Sequence, residues 1–336
     1  MSSKKSPRQP DDYHPLPHVI ILSMVTIITV DIGGTSMRAA AYFPDRIKPI
    51  IHKKIKTSDS NQSVYERLVS LIHSVWQNGF EVAAIVVSTA GPLDPKTGFI
   101  FDAPNIPGWK DFPLGENLSK EFSIPIYVGN DANLAALGEW SFGCGAGHHD
   151  LIYLTISTGI GGGIICNDQL VEGSNGLAAE LGHIIVLPDG PICSCGKQGH
   201  LEAISSGPAI VNYVHQMLLQ GEKSFLFGSK DLTAFDVASA ARKGDQLAIR
   251  AFSRAGTYLG QALASFIHIF NPSLIIIGGG VSQSGPLLFE PMQRELQADI
   301  MDPSYMKGLQ IVPAALGDDS GLLGALALGR QKLQLT

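Results

Sequence analysis

The residue pattern predicts an α/β protein built as two lobes that face a cleft. A buried strand, a glycine-rich turn and a return strand occur near residue 30 and again near residue 155, a weak internal duplication. Apolar strand-like runs also alternate with helix-periodic stretches along the chain. The 336 residues exceed one typical core and suit two lobes. Hydrophobic residues make up 45% and charged residues 16%, which allows a large buried interior and argues against disorder over most of the length.

Residues 27–30 read as a buried strand, followed by the tight turn Asp31-Ile32-Gly33-Gly34-Thr35 and a return strand over 37–43. Residues 61–79 show helical periodicity through Val64, Leu68, Leu71, Ile72 and Val75. The run 82–88 is a continuous apolar strand closed by Ala90-Gly91-Pro92. The Pro-, Gly- and Asp-rich stretch 92–113 reads as a long loop. A strand over 124–128 gives way to a helix from about Ala132 to Trp140. The pattern then repeats: strand 151–156, turn Ser157-Thr158-Gly159-Ile160-Gly161-Gly162-Gly163, and a return strand beginning Ile164-Ile165-Cys166. Residues 176–206 are loop-like, 232–269 largely helical, 274–277 a strand entering Gly278-Gly279-Gly280, and 320–334 a last apolar helix. Residues 24–137 with 318–336 are read as a small N-terminal lobe and 138–317 as a larger C-terminal lobe. Residues 1–23 are read as a disordered extension, and Met24, just before the first strand, is an alternative start to Met1.

The formal net charge is −6 and no basic patch stands out, which argues against nucleic acid as a partner. An anionic ligand would then be held by backbone amides and a metal ion. Four cysteines, Cys144, Cys166, Cys193 and Cys195, are too few for a disulfide framework at this size. Cys193-Ser194-Cys195 suggests instead a metal site in a reducing compartment. The longest apolar run, 19–30, is interrupted by Ser23, Thr26 and Thr29; it is too short to span a membrane and lacks a signal cleavage site.

Several short motifs carry chemistry. Gly33 and Gly34 let backbone N–H groups approach phosphate oxygens, and Asp31 at the strand end suits water-mediated Mg2+ binding. Taken alone, the same residues also suit an ordinary hairpin turn. The second turn has four glycines in five positions, Gly159 and Gly161 to Gly163, and reads as another phosphate-binding hairpin. It ends in no Gly-Lys-Ser/Thr, so it is not a Walker A loop, and a strand rather than a helix follows, so it is not a Rossmann fingerprint. Gly279 and Gly280 would let a nucleoside lie against bare backbone. At Asn130-Asp131 a carboxylate meets a helix N-terminus; local sequence favours Asp131 as a helix cap, and the same position suits a base taking a hydroxyl proton. His183, Cys193, Cys195 and His200 supply two nitrogens and two sulfurs within 18 residues, enough for a closed structural zinc site. Glu180 and Glu202 flank these ligands as rigid acceptors for a polyhydroxyl ligand.

Three stretches jointly resemble the ROK family (repressor, open reading frame, kinase), within the actin-like ATPase (ribonuclease H-like) fold. They are Asp31-Ile32-Gly33-Gly34-Thr35; Asn130-Asp131-Ala132-Asn133 with Ala135-Ala136-Leu137-Gly138-Glu139; and Thr158 to Gly163 continuing to Glu180-Leu181-Gly182-His183. Cys193-Ser194-Cys195-Gly196 resembles the family's zinc loop. The resemblance implies a cytoplasmic, ATP-dependent sugar kinase that is a homodimer or homotetramer. It implies Asp131 as catalytic base, with Asn130, Glu180, His183 and Glu202 on the sugar. His183 would use one ring nitrogen for zinc and the other for a sugar hydroxyl. Asp31, Gly33, Gly34, Thr35, Thr158, Gly159, Gly161 and Gly162 would attend the ATP phosphates and Mg2+, with Gly279 and Gly280 near the nucleoside. The family usually has a third cysteine where this chain has His200, which would make the site Cys2His2 and nominally neutral.

Asn105, in Pro104-Asn105-Ile106-Pro107-Gly108-Trp109, resembles the sugar-contacting loop of family glucokinases and makes glucose the leading substrate. The zinc loop also resembles that of N-acetylmannosamine kinases, the runner-up, with N-acetylglucosamine, fructose and mannose behind; polyphosphate is an alternative donor in some relatives. A sugar-sensing repressor would need a DNA-binding helix pair, for which residues 1–23, with four prolines, are too few. A chaperone-like ATPase would need a further peptide-binding domain, and a non-catalytic sugar-binding protein would not need the base and both phosphate turns.

Overall fold

The computed structural model describes residues 25–59 and 61–335. The expected extension over 1–23, and Met24, lie outside the described residues.

The first lobe contains β1 (Val25–Ile32), β2 (Ser36–Tyr42), β3 (Ile51–Lys56), β4 (Glu81–Thr89), β5 (Leu93–Asp94), β6 (Phe99–Asp102), β7 (Lys110–Pro113) and β8 (Ile126–Asn130). Five of these form a sheet in the order β3-β2-β1-β4-β8. β2 runs antiparallel to both neighbours, and β1, β4 and β8 are mutually parallel. β1 is central and covered on both faces, so Ile27, Ile28, Thr29 and Val30 are all buried. β3 is an edge strand whose Lys53, Lys54 and Lys56 are exposed, charges that discourage pairing with another chain.

The second lobe repeats the plan. β9 (Leu151–Ile156), β10 (Ile160–Cys166), β11 (Gln169–Leu170), β12 (Leu274–Gly278) and β13 (Gln310–Pro313) form a sheet in the order β11-β10-β9-β12-β13. Again a hairpin supplies the antiparallel pair, and β9, β12 and β13 are parallel. The duplication read from the two glycine turns is therefore a duplication of whole sheets.

Helix α1 (Val64–Val75) covers β2 and β3; its capping box pairs Ser63 with Glu66, and Val64, Leu68, Leu71, Ile72 and Val75 form its buried stripe. It is shorter than the expected 61–79, because the buried stripe and the cap fix its ends. After α2 (Leu114–Phe122) comes α3 (Asp131–Phe142), which leaves the end of β8 and packs on β9 and β10 of the other sheet. A boundary drawn after residue 137 therefore falls inside a helix shared by both lobes. The short α4 (Glu202–Ser205), then α5 (Gly207–Leu219), α6 (Ala234–Arg242), α7 (Gln246–Phe270) and α8 (Pro286–Asp299), complete the second lobe. The last helix, α9 (Ser320–Lys332), returns to pack on β1 and β4.

Two expectations need correction. Residues 92–113 are not a plain loop: β5, β6 and β7 form a small sheet whose stability comes from buried Leu93, Ile100, Ile106 and Trp109. Strands of two to four residues are too short to show a period of two. The loop-like 176–206 contains a 3-10 turn over Leu181–His183 and α4.

Each lobe has its own core, and a third core joins them. The joining core takes Ile27 and Val86 from the first sheet, Leu151 and Tyr153 from the second, and the facing sides of α3 and α9. The helices meet through glycine: a Cβ on Gly138 would lie 2.9 Å from the Gly324 nitrogen, and one on Gly324 would collide with the Leu134 carbonyl. Gly324→Ala is thus expected to cost about 2 kcal/mol or more and to lower Tm in thermal denaturation. Gly280→Ala, where a Cβ meets nothing within 4 Å, should leave Tm unchanged.

Candidate active site between the lobes

Asp31, Ser88 and Asn130 stand at the carboxyl ends of β1, β4 and β8, where α/β sheets open toward ligands. Asn130, not Asp131, caps α3: its Oδ1 accepts from the Ala132 and Asn133 N–H groups at 3.0 and 3.1 Å. Its amide nitrogen points to the Gly91 carbonyl at 3.4 Å. Asp131 is the first residue of the helix, half-buried, with Oδ1 accepting from the adjacent Ala132 N–H at 2.8 Å. Burial pushes its carboxyl up to about 6, and the neighbouring Asp31 and Glu180 carboxylates push the same way against the Ala132 hydrogen bond.

Asp31 is held firmly. Arg38 donates to Oδ2 through Nη2 at 2.6 Å and Nε at 3.2 Å, and Ser88 donates to Oδ1 at 3.0 Å. Sequence reading did not single out Arg38 or Ser88; only the strand register brings them to Asp31. The first hairpin turn is closed by Gly33 N–H on Ser36 O at 3.0 Å, and Thr57 binds it from outside, donating Oγ1 to Gly33 O at 2.5 Å. Gly34 and Thr35 are exposed at its tip. A Cβ on Gly34 would lie 3.0 Å from Asn105, so the Asn105 loop rests on the first hairpin. Buried Ile106 and Trp109 anchor that loop, with Trp109 stacked on Phe112 at 5.2 Å.

In the second hairpin Thr158 is exposed and Gly159 half-exposed at the tip, closed by Ser157 N–H on Gly159 O at 2.9 Å. Gly161 and Gly162 lie within β10, where their missing Cβ atoms make room for Ala132 and Leu181. Their glycine identity is thus accounted for by packing. Gly279 has φ 85° and a Cβ there would collide with Ile156, so it brings the end of β12 against the end of β9. Beside it opens a pocket of about 610 Å³, lined by Ser157, Thr158, Gly280 and, from α5 and α6, Asn212, Phe235 and Arg242. Arg242 also donates to the Gln283 and Ser284 carbonyls at 3.3 and 3.4 Å. The three helix residues carry no local motif, and only the fold brings them to the hairpin.

His183 Nδ1, His200 Nδ1, Cys193 Sγ and Cys195 Sγ all lie within 4.8 Å of one another. His183 Nδ1 is 3.3 Å from His200 Nδ1 and 3.6 Å from Cys193 Sγ, and Cys195 Sγ is 3.2 Å from His200 Nδ1. A tetrahedral ion with zinc's bond lengths has edges of about 3.3 Å between nitrogens and about 3.5 Å between nitrogen and sulfur. The donor set therefore fits such an ion. The other ring nitrogen of His183 faces Glu180 Oε2 at 3.9 Å. Glu180 has its carboxyl raised by burial, with His183 opposing and Glu202 adding to the rise. Glu202 Oε2 accepts the Ile160 N–H at 2.9 Å, and Oε1 accepts the Ser194 hydroxyl at 2.5 Å.

The model of the ROK family matches residues 27–332. The chain is 35% identical over 312 residues to the glucokinase of Thermotoga maritima, covering 91% of this chain and 98% of that protein. The structure of a ROK family glucokinase from Streptomyces griseus in complex with glucose and AMPPNP superposes with a TM-score of 0.75 at 36% identity, covering 91% and 99% of the two chains. The ROK hexokinase from Thermus thermophilus superposes with a TM-score of 0.77 at 31% identity, covering 92% and 99%. Repeated sheets, a shared helical layer and paired glycine hairpins around a cleft agree with these matches, and the chain belongs to the ROK family.

Proposed function

We propose that the chain is an ATP-dependent hexose kinase acting on glucose to give glucose 6-phosphate. The observation that carries this is Asp131: a half-buried carboxylate at the head of α3, raised to about 6 by burial and by Asp31 and Glu180, without a side-chain donor. Its likeness to glucokinases over nine-tenths of the chain supplies the reaction class. Sugar binds between the lobes, met by Asn105, Asn130, Glu180, His183 and Glu202. Asp131 orients the hydroxyl and takes its proton as the oxygen attacks the γ-phosphorus and ADP departs. The exposed hairpin tips, Gly34, Thr35, Thr158 and Gly159, offer backbone N–H groups to the phosphates. The adenosine occupies the pocket beside Gly280. Asp31, fixed by Arg38 and Ser88, would hold Mg2+ through water, and that ion supplies charge neutralisation on the phosphates. The His183, Cys193, Cys195 and His200 site would hold a structural zinc that stiffens a loop poor in apolar contacts.

No helix among the described residues is long and apolar enough to cross a membrane. The resemblance to ROK kinases supports a cytoplasmic homodimer or homotetramer as part of this proposal.

Asp131→Asn tests the reading directly. Turnover should fall by about 10³-fold, while glucose binding by calorimetry changes little; near-normal turnover would remove Asp131 from the chemistry. In the wild type, a raised carboxyl is protonated as pH falls through its pKa, so kcat/KM should fall about tenfold per pH unit below about 6. The same shift disfavours the ionised group in the folded state, a cost absent below the unfolded pKa and present above about 6. Asp131→Asn should therefore raise Tm at pH 7 and lose that advantage near pH 4. Elemental analysis should find about one zinc per chain, lost in Cys193→Ser.

A further inference from the structure

Ser194 stands between two metal-site cysteines, is exposed, and donates its hydroxyl to Glu202 Oε1 at 2.5 Å. That length marks a charge-assisted bond. Cys193 Sγ approaches the same oxygen at 3.5 Å. The other oxygen, Oε2, accepts the Ile160 N–H at 2.9 Å, directly after the exposed tip of the second hairpin. This approach needs the glycine before it, since a Cβ on Gly159 would lie 2.6 Å from Glu202 Oε2. Five residues after Glu202, the Gly207 N–H binds the Ser157 carbonyl at 2.9 Å on the other arm of the same hairpin. Between these two points Ser205 is buried and donates to the Ala255 carbonyl at 2.8 Å, which ties α4 to α7. The segment from His200 to Gly207 thus begins on the metal site and grips the hairpin on both sides of Thr158 and Gly159.

We propose that Ser194 is a positioning residue: by orienting Glu202 it couples the metal loop to the donor hairpin and fixes the tip that receives the nucleotide phosphates. Glu202 then serves two sites with one carboxylate. Its sugar-facing lone pairs and its bond to Ile160 share a single orientation, set by the Ser194 hydroxyl. Without that hydroxyl the carboxylate can rotate away, and the hairpin tip loses one of its two anchors. The link to nucleotide rests on the kinase reading; the link to the hairpin does not.

The experiment compares the full-length wild type, Ser194→Ala and Ser194→Thr, with metal content measured on each. Hydrogen–deuterium exchange reads the hairpin peptide over residues 157–163, and steady-state kinetics reads KM for ATP. Ser194→Ala should keep its metal, exchange hairpin amides about five- to tenfold faster, and raise the ATP KM by a similar factor with a smaller change in kcat. Ser194→Thr, which keeps the hydroxyl, should behave as wild type. Unchanged exchange in a metal-retaining Ser194→Ala overturns the proposal. So does faster exchange that appears only with metal loss, or that Ser194→Thr shares. If the wild type transfers no phosphoryl group, the kinase reading fails while exchange still decides the coupling.

Discussion

Backbone approach at glycine is the constraint on which the cleft depends. Two five-stranded sheets must meet through one layer of helices, α3 and α9, that is thin enough for both sheets to reach the same site. Gly138 and Gly324 let the helices touch backbone to backbone. Gly163 admits Ala136 and Gly161 admits Ala132, which seats the first two turns of α3 on β10. Gly321 lets the start of α9 lie against the Asp31 carboxylate. Asp131 at the head of α3 and Asp31 at the end of β1 are thereby brought close enough for one charge to raise the other's proton affinity. A side chain at any of these positions would displace Asp131 or Asp31 before it touched any ligand.

That constraint also explains what was legible in the sequence. The duplicated hairpins and central strands were plain, because β1 and β9 are mostly apolar runs that lead into glycine-rich turns. The apolar stripe revealed α1, although not its ends, because the Ser63–Glu66 capping box that fixes its start was not read. The glycines themselves were ambiguous. Gly161 and Gly162 looked like phosphate ligands, yet their missing Cβ atoms serve packing, and packing against residues as distant in sequence as Leu181 and Ala132 leaves no local trace. Arg38 is one strand from Asp31 and showed no motif. Asn212, Phe235 and Arg242 reach the pocket from separate helices. The His183, Cys193, Cys195 and His200 cluster was legible because its members lie close in sequence and their type is informative by itself. The cap at Asn130 was missed by one residue, and the difference matters, since it frees Asp131.

Electrostatics assigns different work to chemically similar groups. Four carboxylates, Asp31, Asp131, Glu180 and Glu202, lie around the cleft of a chain with net charge −6. Asp31 is paired with Arg38, and Glu202 is committed to Ile160 and Ser194. Asp131 keeps no side-chain donor, feels two like charges and is desolvated, so it is the one best suited to receive a proton near neutral pH. Closure of the lobes over sugar would strengthen each of these terms by excluding water.

The most direct test of the central claim is ADP release with Mg-ATP against glucose, mannose, fructose, N-acetylglucosamine and N-acetylmannosamine. Strong glucose-dependent release is expected, with little from the N-acetylated sugars. A preference for an N-acetylhexosamine would contradict the assignment of glucose, and no release with any of the five would contradict the assignment of a hexose kinase.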